Sequence, residues 1–200
     1  MRLDLPSAAR PAVFLDRDGT LNEEKGYVHR IQDWVWLPGV PAAISKLNRL
    51  GLLTIVVTNQ AGVGRGYYDI AQVDRLHRYA QEDLLSSHGG HIDAFFYCPH
   101  VPSTEGAPLC PCRKPRPGLI HRAARELNVD LARSFLIGDK ASDVLAGQAA
   151  GVESLLVLTG YGPTERKRSP ADVAVVADLG EATAVIVNRI ERDQPRTRSA

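Results

Sequence analysis

The segment from Leu52 to Val57 is a nearly continuous apolar run, rich in β-branched residues. Such a run is typical of a strand that is buried on both faces of a parallel sheet. Five further strands are predicted, at residues 12–15, 92–97, 134–137, 153–158 and 172–176. Segments with helical apolar spacing lie between them, at residues 38–51, 70–86, 117–127 and 180–190. This alternation predicts an α/β fold in three layers around a mainly parallel sheet.

Chain length and charge limit the classes of function. The 200 residues are enough for one well-buried domain, which we place at residues 12–190. Residues 1–11 are an N-terminal extension, and the polar tail 191–200 is expected to be disordered. The formal net charge of +1 gives no strong field for nucleic acid or an anionic membrane. No apolar run reaches about 18 residues, so we expect a cytoplasmic monomer that acts on a small molecule.

Two carboxylates follow the first strand. Asp16 and Asp18 lie at positions i and i+2, so their side chains are expected to share one space while Arg17 points away. Two carboxylates this close need a cation between them, or one of them keeps a proton. Both arrangements suit phosphoryl transfer, with one Asp as nucleophile and the other as general acid and base. Gly19 is expected to let the backbone approach a phosphate. A solvated Asp-rich turn is the alternative.

Polar side chains also follow the second strand, where Thr58, Asn59 and Gln60 end the apolar run. Ligands bind at the carboxyl ends of strands in open α/β sheets, so these side chains are candidate substrate contacts. The glycine-rich stretch that follows predicts no phosphate loop by itself, since it lacks GxxxxGK[ST]. Arg65 within it is a candidate contact for an anionic group.

The fourth strand ends in a third polar group. Asp139 follows this strand and Asp143 lies one helical turn further on, with Lys140 between them. Two carboxylates at this spacing can converge on one Mg²⁺, directly or through water. The alternative is that they only cap a helix, because acidic residues favour helix N-termini.

The three cysteines of the chain lie within fifteen positions, which favours metal binding in a reducing compartment over a disulfide framework. With one histidine they form a C-x-H-x9-C-x-C set, made of Cys98, His100, Cys110 and Cys112. Four N and S ligands leave no open position, so a structural Zn²⁺ is predicted, and free thiols are the alternative. Arg113 and Lys114 follow the last cysteine, so the zinc loop would fix two cations beside the site.

The segment from Glu23 to Pro38 has no helical period. We expect an ordered loop in which the extended piece WVWL, residues 34–37, lies over the mouth of the site. For the two tryptophans themselves, simple packing is favoured over contact with a ligand.

Four strand ends thus carry DRDGT, TN, RKP and GDKASD in chain order. Together with GYVH, VVTNQAGVGRG, FYCPH and CPCRKPRPG, they resemble the haloacid dehalogenase (HAD) superfamily of phosphohydrolases. The resemblance spans roughly residues 12–160 and is strongest to a zinc-carrying branch that holds heptose bisphosphate and histidinol-phosphate phosphatases.

The resemblance implies a Rossmann-like HAD fold and an aspartyl-phosphate mechanism. It assigns Asp16 as the nucleophile and Asp18 as the general acid and base, with Thr58 and Lys114 acting on the transferring phosphoryl group. Mg²⁺ would be held by Asp16, Asp139 and the backbone carbonyl of Asp18, with Asp143 in support. The cysteine and histidine set matches the zinc ligands of the branch. Substrate contacts are expected from Asn59, Gln60, Arg65, Arg113 and Lys140.

Loop spacing helps to choose within the branch. Nine residues separate His100 from Cys110, which favours removal of the C7 phosphate of a heptose 1,7-bisphosphate over hydrolysis of histidinol phosphate. Only 39 residues separate Asp18 from Thr58, so no separate cap domain is expected. Two functions outside this choice stay open, a polynucleotide 3′-phosphatase and a non-catalytic, zinc-stabilised phosphosugar-binding protein.

Overall fold

A computed structural model describes residues 8–104 and 110–193. Six strands form one sheet in the order β3-β2-β1-β4-β5-β6, and every neighbouring pair is parallel. The strands are β1 (Ala12–Leu15), β2 (Leu53–Asn59), β3 (Ala94–Cys98), β4 (Phe135–Gly138), β5 (Glu153–Val157) and β6 (Ala174–Val176). The predicted α/β fold with a parallel central sheet is therefore confirmed.

The helices are α1 (Val40–Arg49), α2 (Ala61–Gly64), α3 (Ile70–His88), α4 (Gly118–Leu127), α5 (Ala141–Ala150), α6 (Gly162–Glu165) and α7 (Leu179–Asp193). The four predicted helices, α1, α3, α4 and α7, lie close to their predicted positions, and α2, α5 and α6 are additional. Asp69 caps α3 through a reciprocal bond pair with Gln72, and Gly89 ends that helix with φ of 65°. Helix α7 continues three residues into the segment predicted as a disordered tail. The remainder of that tail and residues 1–7 lie outside the described residues.

Two apolar layers hold the helices against the sheet. Successive side chains of a strand face opposite sides, so Val13 and Leu15 of β1 contact the layer of α1 and α7, while Phe14 contacts the layer of α4 and α5. All four residues of β1 are fully buried. The strand is therefore the centre of the sheet, and residues that follow it directly are held on a rigid base.

The strand order places a crevice at the carboxyl end of β1. The chain passes from β1 to β2 on one side, and β4 later pairs with β1 on the other. A crevice forms where the strand order reverses in this way, and it is the usual ligand site of open α/β sheets. The polar groups predicted at the ends of β1, β2 and β4 meet at this edge of the sheet.

The two tryptophans pack against the protein, as favoured from the sequence, but not at the mouth of the site. Trp34 packs with Val28, Leu76 and Ala80, and the indole Nε1 of Trp36 donates to the Asp83 carboxylate at 2.7 Å. The prediction that WVWL covers the mouth of the site is therefore wrong, since these rings pack against α3. The mouth is bordered instead by the turn around Gly26.

The residues between Asp18 and Thr58 form a loop, one 3-10 turn, α1 and most of β2, with no separate cap domain among them. In the described parts of the chain, no helix is long and apolar enough to cross a bilayer.

Candidate active site

Asp16 lies at the centre of the crevice. It follows β1 directly, its side chain is almost completely buried, and its Oδ1 lies 2.8 Å from the Nζ of Lys114. Burial alone would raise the pKa of Asp16, but the charges of Lys114 and Lys140 and hydrogen bonds from Lys114 and the backbone hold it below the usual value. The side chain is therefore an ionised, oriented carboxylate, which is the form a nucleophile needs.

Two further carboxylates converge on Asp16. Oxygen atoms of Asp16, Asp139 and Asp143 all lie within 4.8 Å of one another, and all three side chains are buried. Burial, followed by the charge of Asp16, raises the pKa of Asp139 to about 8 and that of Asp143 to about 6. Asp139 Oδ1 is buried without a hydrogen-bond partner in the described structure. An all-oxygen set with an unpaired inward-facing atom fits a hard divalent cation such as Mg²⁺.

Glycine at positions 19 and 160 lets the Asp139 carboxylate lie close to the backbone of both residues. Gly19 and Gly160 both have positive φ, and a Cβ atom on either would meet the Oδ2 of Asp139 inside contact distance. The Oδ2 accepts a hydrogen bond from the Tyr161 amide at 2.8 Å. We expected Gly19 to admit a phosphate, but the neighbour that a side chain would displace is a carboxylate.

The helix-capping alternative for Asp143 is realised as well. Asp143 Oδ2 accepts from the Lys140 backbone amide at 3.0 Å, while its Oδ1 lies 2.6 Å from the Nζ of Lys114. One carboxylate thus starts α5 and reaches into the crevice.

Lys114 is the buried cation of the site. Its Nζ contacts Asp16, Asp143 and the carbonyl of Val57, the last at 2.7 Å. Burial would lower the pKa of Lys114, but the charges of Asp143 and Asp16 raise it above the ordinary value. The Asn59 side chain binds the backbone of Lys114 twice, at 3.1 and 3.2 Å. Asn59, predicted as a substrate contact, therefore also fastens the loop that carries this cation.

Asp18 lies apart from the three-carboxylate cluster and faces hydrogen-bond donors. Its carboxylate accepts from Nε and Nη2 of Arg17, at 3.1 and 2.8 Å, and from Asn22 Nδ2 at 3.0 Å. Arg17 was expected to point away from the site. Its side chain instead folds back beneath Asp18 and is fully buried, because the strand alternation ends at Leu15.

Gln60 is a buried bridge within the site. Its Nε2 donates to Asp18 and to Thr58 Oγ1, and its Oε1 accepts from Tyr68 and Arg17. Both amide hydrogens and the carbonyl oxygen are thus already bonded inside the protein. Gln60 nevertheless lines the cleft, and its predicted contact with the substrate stays a prediction. Thr58 Oγ1 accepts from Gln60, so the hydroxyl hydrogen of Thr58 is not used in this bond.

Cations surround the open part of the crevice. A cleft of about 350 Å³ extends outward from Asp18, and three of its lining side chains are Arg65, Arg113 and Lys140. Arg113 is fixed by a hydrogen bond to the His100 carbonyl at 3.1 Å, and Lys140 lies 3.4 Å from the Glu24 carboxylate. The three predicted cationic contacts therefore border one space, which suits an extended anion.

The cysteine and histidine set is compact. The sulfur-sulfur distances are 3.5 Å for Cys98 to Cys110, 3.2 Å for Cys98 to Cys112 and 3.3 Å for Cys110 to Cys112. His100 Nδ1 lies 3.3 Å from Cys112 Sγ, and the cysteines form no disulfide. Tetrahedral zinc with bonds of about 2.3 Å would hold such sulfurs roughly 3.7 Å apart, so the four atoms surround a space of nearly the required size.

Sequence reasoning missed three of the buried residues around Asp18: Arg17, Tyr68 and His77. Burial is the largest influence on the pKa of Tyr68 and raises it to about 12, so its hydroxyl stays protonated and donates to Gln60. An arginine two positions after a wholly apolar strand was the available signal, because a buried guanidinium must find acceptors nearby.

Comparisons with known proteins agree with this geometry. A family model for HAD-hydrolase-like proteins matches residues 111–182. The D-glycero-beta-D-manno-heptose-1,7-bisphosphate 7-phosphatase of Haemophilus ducreyi is 41% identical over 169 residues, which cover 83% of this chain and 93% of that protein. The protein of the same name from Escherichia coli K12 is 39% identical over 178 residues, covering 86% and 93%.

A solved structure is similar over nearly its whole length. The D,D-heptose 1,7-bisphosphate phosphatase of B. bronchiseptica, complexed with magnesium and phosphate, superposes with a TM-score of 0.82 at 34% identity. The match covers 90% of this chain and 99% of that one.

The parallel sheet and its buried Asp and Lys cluster, with these relatives, define a HAD-type phosphatase, a hydrolase of phosphoric monoesters. Within that class, the chain belongs to the D-glycero-D-manno-heptose-1,7-bisphosphate 7-phosphatase family.

Proposed function

We propose that this protein removes the C7 phosphate of D-glycero-D-manno-heptose 1,7-bisphosphate through an aspartyl-phosphate intermediate. The observation that carries the proposal is the buried pair of Asp16 and Lys114, 2.8 Å apart. Both residues adjoin residues that line the cationic cleft, since Asp18 and Arg113 are among its lining side chains. The names of relatives at about 40% identity supply the substrate.

Asp16 is the proposed nucleophile. One of its oxygens attacks phosphorus, the bond from phosphorus to the sugar oxygen breaks, and Asp18 gives that oxygen a proton. Asp18 then takes a proton from water as the water oxygen attacks phosphorus, which frees Asp16. Thr58 and Lys114 donate to the phosphoryl oxygens, and preorganised donors of this kind supply much of the rate enhancement in phosphoryl transfer.

The carboxylate cluster is the proposed Mg²⁺ site, with Asp16, Asp139 and the backbone carbonyl of Asp18 as ligands and Asp143 in support. The buried, unpaired Oδ1 of Asp139 supports this choice. When bound, the ion would offset the negative charge that the phosphoryl group brings beside these carboxylates.

The second phosphate of the substrate is assigned to the cationic part of the cleft, formed by Arg65, Arg113 and Lys140. Arginine binds phosphate oxygens through paired N–H donors. Arg113 is the main candidate because its side chain is already held by a hydrogen bond to the His100 carbonyl. A structural Zn²⁺ on Cys98, His100, Cys110 and Cys112 would hold the loop that carries Arg113 and Lys114 in place.

We also propose that the protein is a monomer and that its phosphatase domain comprises residues 12–190. We place it in the cytoplasm, because a reducing compartment keeps the three metal-binding thiols free.

Phosphate release from the α and β anomers of the heptose bisphosphate tests the proposal, with histidinol phosphate as the competing substrate and each reaction run with Mg²⁺ and with EDTA. We expect a large kcat/KM preference for one heptose anomer and loss of turnover in EDTA. Asp16→Asn should abolish turnover while circular dichroism and zinc content stay unchanged. Faster turnover of histidinol phosphate, or substantial activity of Asp16→Asn, would contradict the proposal.

A further inference from the structure

Arg17 is the largest of the fully buried side chains, and its guanidinium lies directly beneath Asp18. Two of its nitrogens face the Asp18 carboxylate, which is the paired geometry that arginine adopts with carboxylates. Nη2 also donates to the carbonyl of Val28, 2.5 Å away, and Nη1 lies 3.3 Å from His77 Nε2. A guanidinium held on several sides leaves the carboxylate plane of Asp18 little freedom.

His77 fixes the far side of this arrangement. Since arginine can only donate, the Nε2 of His77 must accept, and its ring proton lies on Nδ1. The imidazole is buried, stacks on Phe95 with centroids 4.5 Å apart and meets Tyr97 edge-on at 5.7 Å. Two aromatic rings of β3 therefore hold the acceptor that orients Arg17.

Gln60 joins the same arrangement to the phosphoryl site. Its Nε2 lies 3.0 Å from Asp18 Oδ2 and 2.9 Å from Thr58 Oγ1, and its Oε1 lies 3.2 Å from Arg17 Nη2. Gln60 thus links the orientation of Asp18 to the position of Thr58. In the proposed mechanism, Thr58 donates to the phosphoryl group.

We propose that Arg17, held by His77, is a positioning residue that aims the Asp18 carboxyl group at the oxygen leaving phosphorus. The proposal rests on the proposed function, in which Asp18 protonates that oxygen and later deprotonates water. Arg17 is fully buried and is not among the residues that line the cleft, so it acts on the reaction through Asp18 alone. Its contribution should therefore appear only where proton transfer by Asp18 limits the rate.

The leaving group of the substrate separates this role from a purely structural one. An alkyl phosphate, such as the heptose bisphosphate, releases a basic alkoxide that must be protonated as the bond breaks. An aryl phosphate such as p-nitrophenyl phosphate releases a stable phenolate that needs no proton. A misaimed Asp18 should therefore slow phosphoryl transfer to Asp16 from the alkyl ester and spare transfer from the aryl ester.

The test variant is Arg17→Lys, which keeps the charge but removes the forked donor. General acid catalysis contributes about 10²–10⁴-fold, so we expect kcat/KM for the heptose bisphosphate to fall about 10²-fold and that for p-nitrophenyl phosphate to stay within about threefold. The kcat for the aryl ester should fall together with its KM, because hydrolysis of the aspartyl phosphate still needs Asp18. Rapid mixing should then show a burst of p-nitrophenolate.

Arg78→Lys is the matched control, because Arg78 lies exposed on α3 one position from His77. Arg78→Lys should leave kcat/KM unchanged for both substrates. His77→Phe keeps an aromatic ring against Phe95 but removes the acceptor, and it should give the same selective loss to a smaller degree. This second variant decides the question if Arg17→Lys does not fold.

Equal losses of kcat/KM for the two substrates in the folded variants would overturn the positioning role. So would unchanged turnover of the heptose bisphosphate. A wild-type protein that hydrolyses neither ester would instead refute the proposed function, and the two failures are therefore distinguishable.

Discussion

Replacing Gly19 by alanine tests whether glycine is needed at this position to leave room for the Asp139 carboxylate. Gly19 has φ of 86°, and a Cβ atom would overlap the Oδ2 of Asp139 and come within 3.1 Å of the Gly160 Cα. Gly51, at the end of α1, is the matched control, since its φ is 77° and nothing lies within 4 Å of the added atom. Both variants place alanine in the left-handed region, but only one displaces a carboxylate.

The expected magnitudes follow from these two differences. The left-handed conformation costs alanine about 1–2 kcal/mol, so Gly51→Ala should lower the free energy of unfolding by that amount. Gly19→Ala adds an overpacking cost of about 1–3 kcal/mol in a rigid site, for a total of roughly 2–5 kcal/mol. Asp139 is fully buried, so its carboxylate can shift only by moving its neighbours.

Urea unfolding measures the stabilities, and phosphate release against Mg²⁺ concentration measures the effect on the site. A misplacement of about 1 Å can lower the rate about 10²-fold, so Gly19→Ala should lose about that factor in kcat/KM and need more Mg²⁺. Gly51→Ala should retain wild-type activity and the wild-type Mg²⁺ requirement. Equal stability losses in the two variants, or wild-type Mg²⁺ dependence in Gly19→Ala, would refute the reasoning.

Three further substitutions probe other parts of the molecule. Cys110→Ser should abolish stoichiometric zinc, measured by elemental analysis, and lower the free energy of unfolding by more than about 3 kcal/mol, because loss of a metal site is among the most damaging changes. Arg113→Ala should lower kcat/KM for the bisphosphate about 10–100-fold but leave the 7-monophosphate almost unaffected, because a charged hydrogen bond contributes about 1.5–3 kcal/mol; equal losses would contradict its assignment to the distal phosphate. Burial, followed by the charge of Arg17, lowers the pKa of His77 well below 6.5, so only the unfolded chain binds that proton and stability falls as the pH drops below that value. Between about pH 6 and pH 5 the free energy of unfolding of the wild type, measured in urea titrations, should fall by about 1 kcal/mol more than that of His77→Phe. Parallel curves of stability against pH would contradict the burial of a neutral histidine.

The sequence was informative wherever a regular pattern carried the prediction. The apolar segments before Asp16, Thr58 and Asp139 have a period and a length, so the strands, their ends and the polar residues that follow them could all be predicted. Parallel pairing then placed these residues at one edge without any knowledge of contacts. The same holds for the proximity of Cys98 and His100 to the other two cysteines, because residue type and spacing predicted one compact set.

Side-chain direction beyond a strand end was not predictable in this way. Alternation assigned Arg17 to the far side, but alternation applies only to extended backbone, and the chain turns at this point. Gln60 is polar and lies at a ligand edge, which is equally consistent with contacting a substrate and with bridging Asp18 to Thr58. Trp34 and Trp36 lack any periodic context, so only the position of α3 decides where they pack.

The strand order has a consequence for synthesis on the ribosome. The central strand pairs with β4, and the Ala12 amide bonds to the Ser134 hydroxyl, 122 positions further along the chain. At about 5–20 residues per second, that separation corresponds to a delay of roughly 6–24 s between translation of β1 and translation of β4. During this interval the edge of β1 that later pairs with β4 is open, and its side chains are all apolar. A chain that stops before Phe135 would be left with that edge and would also lack Asp139.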